Sequence, residues 1–277
     1  MRVAERGSIV AGMARATESK GWALILGASS GFGGATARAL ARTGWNIAGV
    51  HLDRRSTIEQ AEQVKTDVEA AGAQALFFNV NAAAEDKRAE VLDALADAAE
   101  PGSVRVLLHS LAFGSMAPLV GDEPKGSIRQ KQVEMTLDVM ASSLVYWSQE
   151  LIWRGLMGEG GRIFAMSSAG STRAQAGYGV ISAAKSALEA YIRQLAIELA
   201  PRGITANTIR AGVTDTAALR KIPDWEGIVA KAQAQNPAER LTTTEDVAAA
   251  IALLAEPGAS WISGNVIGVD GGEDVAG

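Results

Sequence analysis

Short apolar segments alternate along the chain with longer segments in which apolar residues recur every three to four positions. The short segments are typical of buried strands and the longer ones of amphipathic helices. The predicted strands lie at 22–27, 45–51, 73–80, 104–110, 161–167, 204–210 and 265–272. The main predicted helices lie at 33–44, 56–72, 85–100, 126–155, 178–200 and 244–255. Strands that alternate with helices in this way predict an α/β protein with a doubly wound parallel sheet and helices on both faces.

The chain shows no repeat, low-complexity tract or linker that would divide it. We therefore predict a single domain over residues 21–277, preceded by a disordered extension over residues 1–20. The apolar run in that extension, "SIVAGMA", is short for a secretory signal, which needs roughly 7–15 apolar residues. The predicted location is the cytoplasm.

The amino-acid composition limits the partners and the catalytic groups that this protein can use. Of 277 residues, 48% are hydrophobic and 21% charged, and the formal net charge is −5, so neither nucleic acid nor an anionic membrane is a predicted partner. No apolar run approaches the roughly 20 residues that span a bilayer. With no cysteine and two histidines, thiolate chemistry and a Cys/His zinc site are excluded and no metal is predicted. The groups that remain for catalysis are hydroxyls, lysine, carboxylates or a bound cofactor.

The loop "GASSGFGG" follows the first predicted strand and opens the first helix. Glycines at this point permit a tight turn and let the backbone approach a pyrophosphate at the helix N-terminus. The spacing predicts a Rossmann-type dinucleotide site; a tight turn that binds nothing is the alternative. The candidate cofactor-binding residues in this loop are Gly27, Ser29, Ser30, Gly31, Phe32 and Gly33.

The end of the second strand, "HLDRRS", bears on the choice of nicotinamide cofactor. An acidic residue there accepts a hydrogen bond from a ribose 2′-OH, whereas arginine pairs with a 2′-phosphate. His51 stands where the acid usually falls, and Arg54 and Arg55 favour NADPH. Asp53 argues for NADH, and a solvated loop is the third interpretation. We predict NADPH, with NADH possible and with His51 and Arg54 at the cofactor.

One tyrosine and one lysine stand seven positions apart in "GYGVISAAK". On a helix this separation places Tyr178 and Lys185 on one face, about 10.5 Å apart, against about 6 Å for a separation of four. The longer spacing leaves room for an additional carbon unit, which suits a conjugated enoyl group rather than a simple carbonyl. Taken alone, the pair is also compatible with two unrelated side chains on a helix.

Together these features resemble the short-chain dehydrogenase/reductase superfamily over residues 22–272, and more closely its enoyl-acyl-carrier-protein reductases. "GASSGFG" is similar to the superfamily's cofactor loop, and "WISGNVIGVDGG" to its terminal strand. "HSLA" (109–112) is similar to the segment that enoyl reductases carry after the fourth strand. Ile181 occupies the position of the ketone reductases' tyrosine, and Met140 that of their proton-relay asparagine. The resemblance adds to the cofactor site Asn79, Val80, Ser110, Leu111, Lys185, Gly212, Thr214 and Thr216.

The resemblance implies NADPH-dependent reduction of the trans-2 double bond of an enoyl thioester in fatty-acid synthesis. The substrate would be carried on acyl carrier protein or coenzyme A. Tyr178 would donate to the thioester oxygen, and Lys185 would hold the ribose hydroxyls and lower the pKa of the tyrosine. A lid around 214–237 would cover the acyl chain, with Trp225 and Ile228 as wall or core. A homotetramer would form through the helices at 126–155 and 178–200.

Ser168 keeps a second function open. It lies where ketone reductases carry their catalytic serine, so it is a candidate catalytic residue, although serine also often caps such a loop. A carbonyl or 3-oxoacyl-thioester reductase is therefore the alternative enzyme. A protein that only senses the cofactor is a third hypothesis, which the intact Tyr-Lys pair disfavours.

Overall fold

The structure is a computed structural model that describes residues 19–276; the predicted extension lies almost wholly outside this range. Seven parallel strands form one sheet in the order β3-β2-β1-β4-β5-β6-β7, which confirms the predicted fold class. The strands are β1 Trp22–Leu26, β2 Asn46–His51, β3 Ala75–Asn79, β4 Val104–His109, β5 Arg162–Ser168, β6 Thr205–Ala211 and β7 Val266–Val269.

Helices cover both faces of the sheet. They are α1 Gly31–Arg42, α2 Ile58–Ala70, α3 Glu85–Ala98, α4 Gln130–Leu137, α5 Ser143–Trp153, α6 Gly179–Leu199, α7 Trp225–Gln235, α8 Thr244–Leu254 and α9 Glu273–Ala276. Helices α3, α5 and α6 pack on one face and α1, α2 and α8 on the other. Within the described part of the chain, no helix has both the length and the apolar character needed to cross a bilayer.

The inner strands are buried on both faces, which explains their continuous apolar sequence. In β1, Leu24 and Leu26 face the layer of α3, α5 and α6, while Ala23 and Ile25 face the opposite layer. All four side chains are fully buried. Successive residues of a strand point to opposite faces, so each residue of β1 contributes to one of the two cores.

The predicted helix over 126–155 is interrupted. It begins at Gln130, passes through a π-helical segment at 138–142 and resumes as α5. Apolar periodicity alone does not reveal a π-helical turn, because the residues on either side remain helical. π-helical turns are rare in proteins, and those that occur are often found at functional sites. Met140 from this segment lines the cavity described below.

The strand order places a crevice at the carboxyl edge of the sheet. The chain runs outward from β1 through β2 to β3 and then returns to β4 on the other side of β1. Ligands of open α/β sheets bind where the order reverses in this way. The carboxyl ends of β1, β4, β5 and β6 therefore surround the candidate site.

Candidate active site

A cavity of about 290 Å³ opens at this edge of the sheet. Its walls come from the glycine loop, the segments after β4, β5 and β6, the start of α6 and the chain between β6 and α7. Many of the residues singled out in the sequence meet here. The predicted catalytic and cofactor-binding residues that line the cavity are Phe32, Ser110, Leu111, Ser168, Tyr178, Lys185, Gly212, Thr214 and Thr216.

The glycine loop fits a pyrophosphate. Gly31 has a φ of 52°, and a Cβ placed on it would meet nothing within 4 Å, so open space lies in front of the loop. Gly33 has no room for a side chain, since a Cβ there would lie 2.1 Å from the Gly27 carbonyl oxygen. The first amides of α1 lack helical acceptors and are available to an anion.

At the end of β2, Asp53 is engaged with a buried histidine, whereas the two arginines that follow it are exposed. His51 is buried, and its Nδ1 lies 2.9 Å from Oδ2 of Asp53. Burial raises the pKa of the Asp53 carboxyl, but hydrogen bonds with Thr57, Ser29 and His51 outweigh burial and bring the pKa below its ordinary value. The carboxylate is therefore ionised and already engaged with His51.

Arg54 and Arg55 remain exposed beside this pair. Among the described residues, neither arginine forms a salt bridge. The side chain of Asn79 is occupied, because it accepts from the Asp53 amide at 2.8 Å and donates to the Asp53 carbonyl at 3.1 Å. Val80 hydrogen-bonds through its amide to the His51 carbonyl. These residues lie at the β2 and β3 ends of the crevice, outside the cavity.

Tyr178 and Lys185 line the same cavity, but they are not both helical. Tyr178 is the N-cap of α6, with φ −98° and ψ 1°, and the helix begins at Gly179. The rise calculated for two helical residues therefore does not apply to this pair. Ile181, at the position of the ketone reductases' tyrosine, is buried and lines the cavity.

The loop between Ser168 and Tyr178 is fastened to α6 by two serines. Ser182 donates to the Gly170 carbonyl at 2.5 Å, and Ser186 donates to the Ser171 carbonyl at 2.8 Å. These serines lie one helical turn apart, so both bonds arise from one helix face. They fix the loop that separates the two candidate hydroxyls.

Ser168 lines the cavity, and among the described residues its hydroxyl has no neighbour to bond other than Tyr178. Its Oγ is buried and makes no hydrogen bond of ordinary geometry within the described residues, although it lies near the tyrosine. Burial raises the pKa of Tyr178, and the neighbouring serine hydroxyl offsets this only in part. The expectation that Lys185 lowers the tyrosine pKa is therefore wrong, because burial dominates. Tyr178 is a neutral donor at neutral pH.

Lys185 is buried, and its Nζ donates to the Met166 carbonyl at 2.7 Å. Burial lowers the pKa of the ammonium to about 8, and the charge of Glu189 opposes that effect. The side chain is consequently charged at neutral pH, with two donors left after the bond to Met166.

The remaining wall is largely apolar. Part of it comes from the predicted lid, although Trp225 is absent from the lining and stacks with the Arg220 guanidinium, 5.5 Å from the ring centroid. The apolar residues that line the cavity include Met116, Met140, Leu219, Ile222 and Ile228. An acyl chain would find apolar contacts along this wall.

Sequence reasoning missed Glu273, which lines the cavity from the C-terminal segment. The Val213 amide donates to its carboxylate, 3.1 Å from Oε2 and 3.3 Å from Oε1. The next residue, Asp274, pairs with Arg173 at 2.9 Å and with Arg210 at 2.8 Å. The run "DGGED" after the last strand was the only available signal, and it does not indicate where the acids point.

A parallel sheet, a phosphate-fitting glycine loop and a Tyr-Lys pair that lines the cavity at the switch point define a nicotinamide-dependent oxidoreductase. The sequence model of the enoyl-(acyl carrier protein) reductase family matches residues 27–273. The chain belongs to this family of short-chain dehydrogenase/reductases.

Relatives of two activities are similarly distant. The chain is 33% identical over 202 residues to an NADH-dependent enoyl-acyl-carrier-protein reductase of Nostoc, covering 73% of this chain and 76% of the relative. It is 30% identical over 253 residues to a 3-oxoacyl-acyl-carrier-protein reductase of Vibrio cholerae, covering 90% and 96%. A short-chain dehydrogenase of Burkholderia cenocepacia, solved with NADP, superposes with a TM-score of 0.80 at 28% identity, covering 92% and 98%. The family is thus established, and the reaction is argued below.

Proposed function

We propose that this protein is an NADPH-dependent enoyl-thioester reductase. The carrying observation is the pair of apolar side chains, Ile181 and Met140, that line the cavity where ketone reductases carry a tyrosine and an asparagine. Tyr178 is the only tyrosine among the described residues that line this cavity. Tyr178 would thus donate to the thioester oxygen of a conjugated substrate whose carbon chain contacts these apolar side chains.

NADPH is the proposed cofactor because Arg54 and Arg55 are exposed while Asp53 is engaged with His51. Arginine beside the adenine ribose pairs with a 2′-phosphate. The Burkholderia neighbour, solved with NADP, supports this choice, whereas the name of the Nostoc relative specifies NADH. When bound, the reduced nicotinamide supplies the hydride that C3 of the enoyl group receives.

Three side chains would carry the remaining chemistry. Tyr178, kept neutral by its raised pKa, would donate a hydrogen bond to the thioester oxygen as negative charge develops there. Ser168, whose hydroxyl is uncommitted, would donate to the same oxygen. Lys185 would hold the ribose hydroxyls and supply a nearby positive charge. Donors arranged before the reaction stabilise an oxyanion without a cost of reorganisation.

The partners and the lid are part of the same proposal. The acyl chain would lie along the apolar wall, under a lid formed by residues 214–237, with acyl carrier protein or coenzyme A outside. The protein would act in fatty-acid synthesis as a cytoplasmic homotetramer. Its exposed Trp153 and Ile197, on the ends of α5 and α6, support association through these helices.

A 3-oxoacyl-thioester reductase is the second candidate. The observation in its favour is the uncommitted Ser168 hydroxyl beside Tyr178, because two hydroxyls that meet one oxygen suit a ketone equally well. The relative from Vibrio cholerae supports it.

Turnover of two thioesters separates these candidates. Crotonyl and acetoacetyl thioesters, each on acyl carrier protein and on coenzyme A, are supplied with NADPH, and oxidation of the cofactor is followed by absorbance. We expect the enoyl substrates to be reduced faster. Faster reduction of acetoacetyl thioester would establish the second candidate instead, and NADPH binding without turnover would indicate a cofactor sensor.

A matched pair of variants tests the tyrosine. Tyr178→Phe should lose roughly 10²–10³ in kcat, the range for one oxyanion donor, while NADPH binding is unchanged. Tyr191→Phe is the control, since Tyr191 lies on the same helix and outside the cavity. Equal activity of both variants would contradict the assignment.

A further inference from the structure

A buried carboxylate lies behind the candidate active site. Glu189 is one helical turn after Lys185 on α6, and 8% of the residue is exposed. Its partner is Ser167, whose Oγ donates to Oε1 at 2.6 Å. Acidic side chains are almost never this buried unless they are paired, because an ionised carboxylate loses its hydration. One serine satisfies only part of that requirement.

The carboxylate and the Lys185 ammonium are anchored to consecutive residues of β5. Lys185 donates to the Met166 carbonyl, and Glu189 accepts from the Ser167 hydroxyl. The two charges form no contact ion pair, so each is held by the strand rather than by the other. The next residue, Ser168, carries the uncommitted hydroxyl of the cavity. One turn of α6 therefore holds two consecutive residues of the strand end, Met166 and Ser167, directly before Ser168.

Glu189 is also the charge that compensates the buried ammonium. Burial favours the neutral form of lysine, and an opposite charge nearby favours the charged form; at Lys185 the opposing charge is that of Glu189. Tyr178, at the start of the same helix, is neutral.

His109, from β4, faces the same region and is uncharged. It is fully buried, and burial lowers its pKa to about 3. Its Nε2 lies 2.9 Å from Oγ of Ser143, which itself donates to the Val139 carbonyl at 2.8 Å. The remaining ionisable groups on the elements packed against α6 are Lys131, Glu134, Asp138, Arg162, Arg202 and Arg210. The pKa of Lys185 responds to burial and to Glu189 rather than to these groups.

We propose that Glu189 is a positioning residue that keeps Lys185 protonated and holds the end of β5 in place. It acts through Lys185 and Ser167 and does not touch the substrate. The proposal rests on the proposed function only in giving Lys185 a role at the cofactor. It holds equally for an enoyl and for a 3-oxoacyl reductase.

The test compares pH profiles of Glu189→Gln and wild type. Glutamine keeps the size and an acceptor for Ser167 but removes the charge. The basic limb of kcat/KM, and of the NADPH association constant measured by fluorescence, should move to lower pH by roughly one unit. Glu198→Gln is the matched control, because Glu198 is exposed on the same helix and its charge lies outside the site. Its profile should coincide with that of wild type.

A second variant keeps the test decisive if Glu189→Gln does not fold. Ser167→Ala removes the hydroxyl that stabilises the carboxylate, so it should move the basic limb in the same direction by a smaller amount. A uniform fall at every pH, without movement of the limb, would overturn the proposal and leave Glu189 a purely structural residue. The binding measurement requires no thioester, so failure of the proposed reaction would not be mistaken for failure here.

Discussion

Gly170 lies directly against the ring of Tyr178. A Cβ on Gly170 would come within 2.6 Å of the ring carbon Cε1 and within 3.2 Å of Oγ of Ser168. The backbone at this glycine thus sets the distance between the two candidate hydroxyl donors. The absence of a side chain is required by packing, since Gly170 is not in the left-handed region.

Gly170→Ala should therefore displace the Tyr178 ring and reduce kcat. A shift of about 1 Å in a catalytic group can cost about 10²-fold, and we expect a loss between tenfold and that value, with NADPH affinity unchanged. Gly258→Ala is the control, because a Cβ there meets nothing within 4 Å. Activity of Gly170→Ala equal to that of the control would show that the ring position does not matter for turnover.

The spacing of tyrosine and lysine is tested by moving the hydroxyl. In Tyr178→Phe/Ile181→Tyr the phenol moves from the N-cap into the helix, three residues further along the chain, at a cavity-lining position. Enoyl turnover should fall to the level of Tyr178→Phe, because the displaced donor no longer meets the oxyanion. A trace of 3-oxoacyl reduction is expected through Ser168. The ratio of the two turnovers is the measurement, and retention of enoyl activity would refute the spacing argument.

Cofactor choice depends on the exposed arginines after β2. The double variant Arg54→Ala/Arg55→Ala should weaken NADPH relative to NADH by roughly tenfold or more, since a hydrogen bond to a charged group contributes about 1.5–3 kcal/mol. Dissociation constants for both cofactors give the ratio. Arg193→Ala/Arg202→Ala, which removes two other exposed arginines, controls for net charge. A wild type that already prefers NADH would instead indicate that Asp53 releases His51 and binds the ribose.

Acid should destabilise the fold through His109. Its folded pKa of about 3 lies below the ordinary value of 6.5, so the unfolded chain binds the proton first as pH falls. The stabilisation is complete above about pH 6.5 and is lost at up to about 1.4 kcal/mol per pH unit below it. Denaturant unfolding of wild type and His109→Gln at several pH values measures the difference. This difference should shrink as pH falls below 6.5; a constant difference would mean that His109 does not titrate in this range.

The strands and the phosphate loop could be predicted because their causes are local. Strands buried on both faces are apolar throughout, and the glycines within 27–33 are required by the conformation and close approach of the neighbouring backbone. The same local reasoning did not predict that Tyr178 is the N-cap before α6 rather than a helical residue. It also did not predict the π-helical segment at 138–142. Neither feature changes the apolar periodicity on which the prediction depended.

The side chains that tune the site depend on long-range contacts. Asp53 was weighed as a ribose ligand, but its pairing with His51 follows from the burial of the end of β2. The sequence assigned no role to Glu189, because its contact with Ser167 forms only where α6 packs against β5. Glu273 approaches Val213 from a segment 60 residues further along the chain. Periodicity carries no information on such pairings.

The contacts of Glu273 and Asp274 have a consequence for synthesis of the protein. A chain made from its amino end has the glycine loop, Ser168, Tyr178 and Lys185 outside the ribosome long before residues 273–274 emerge. Until then Arg173, Arg210 and the Val213 amide lack the acidic partners that hold this wall of the cavity. Domains generally fold as units, so the pocket cannot be complete until residues 273–274 have left the ribosome.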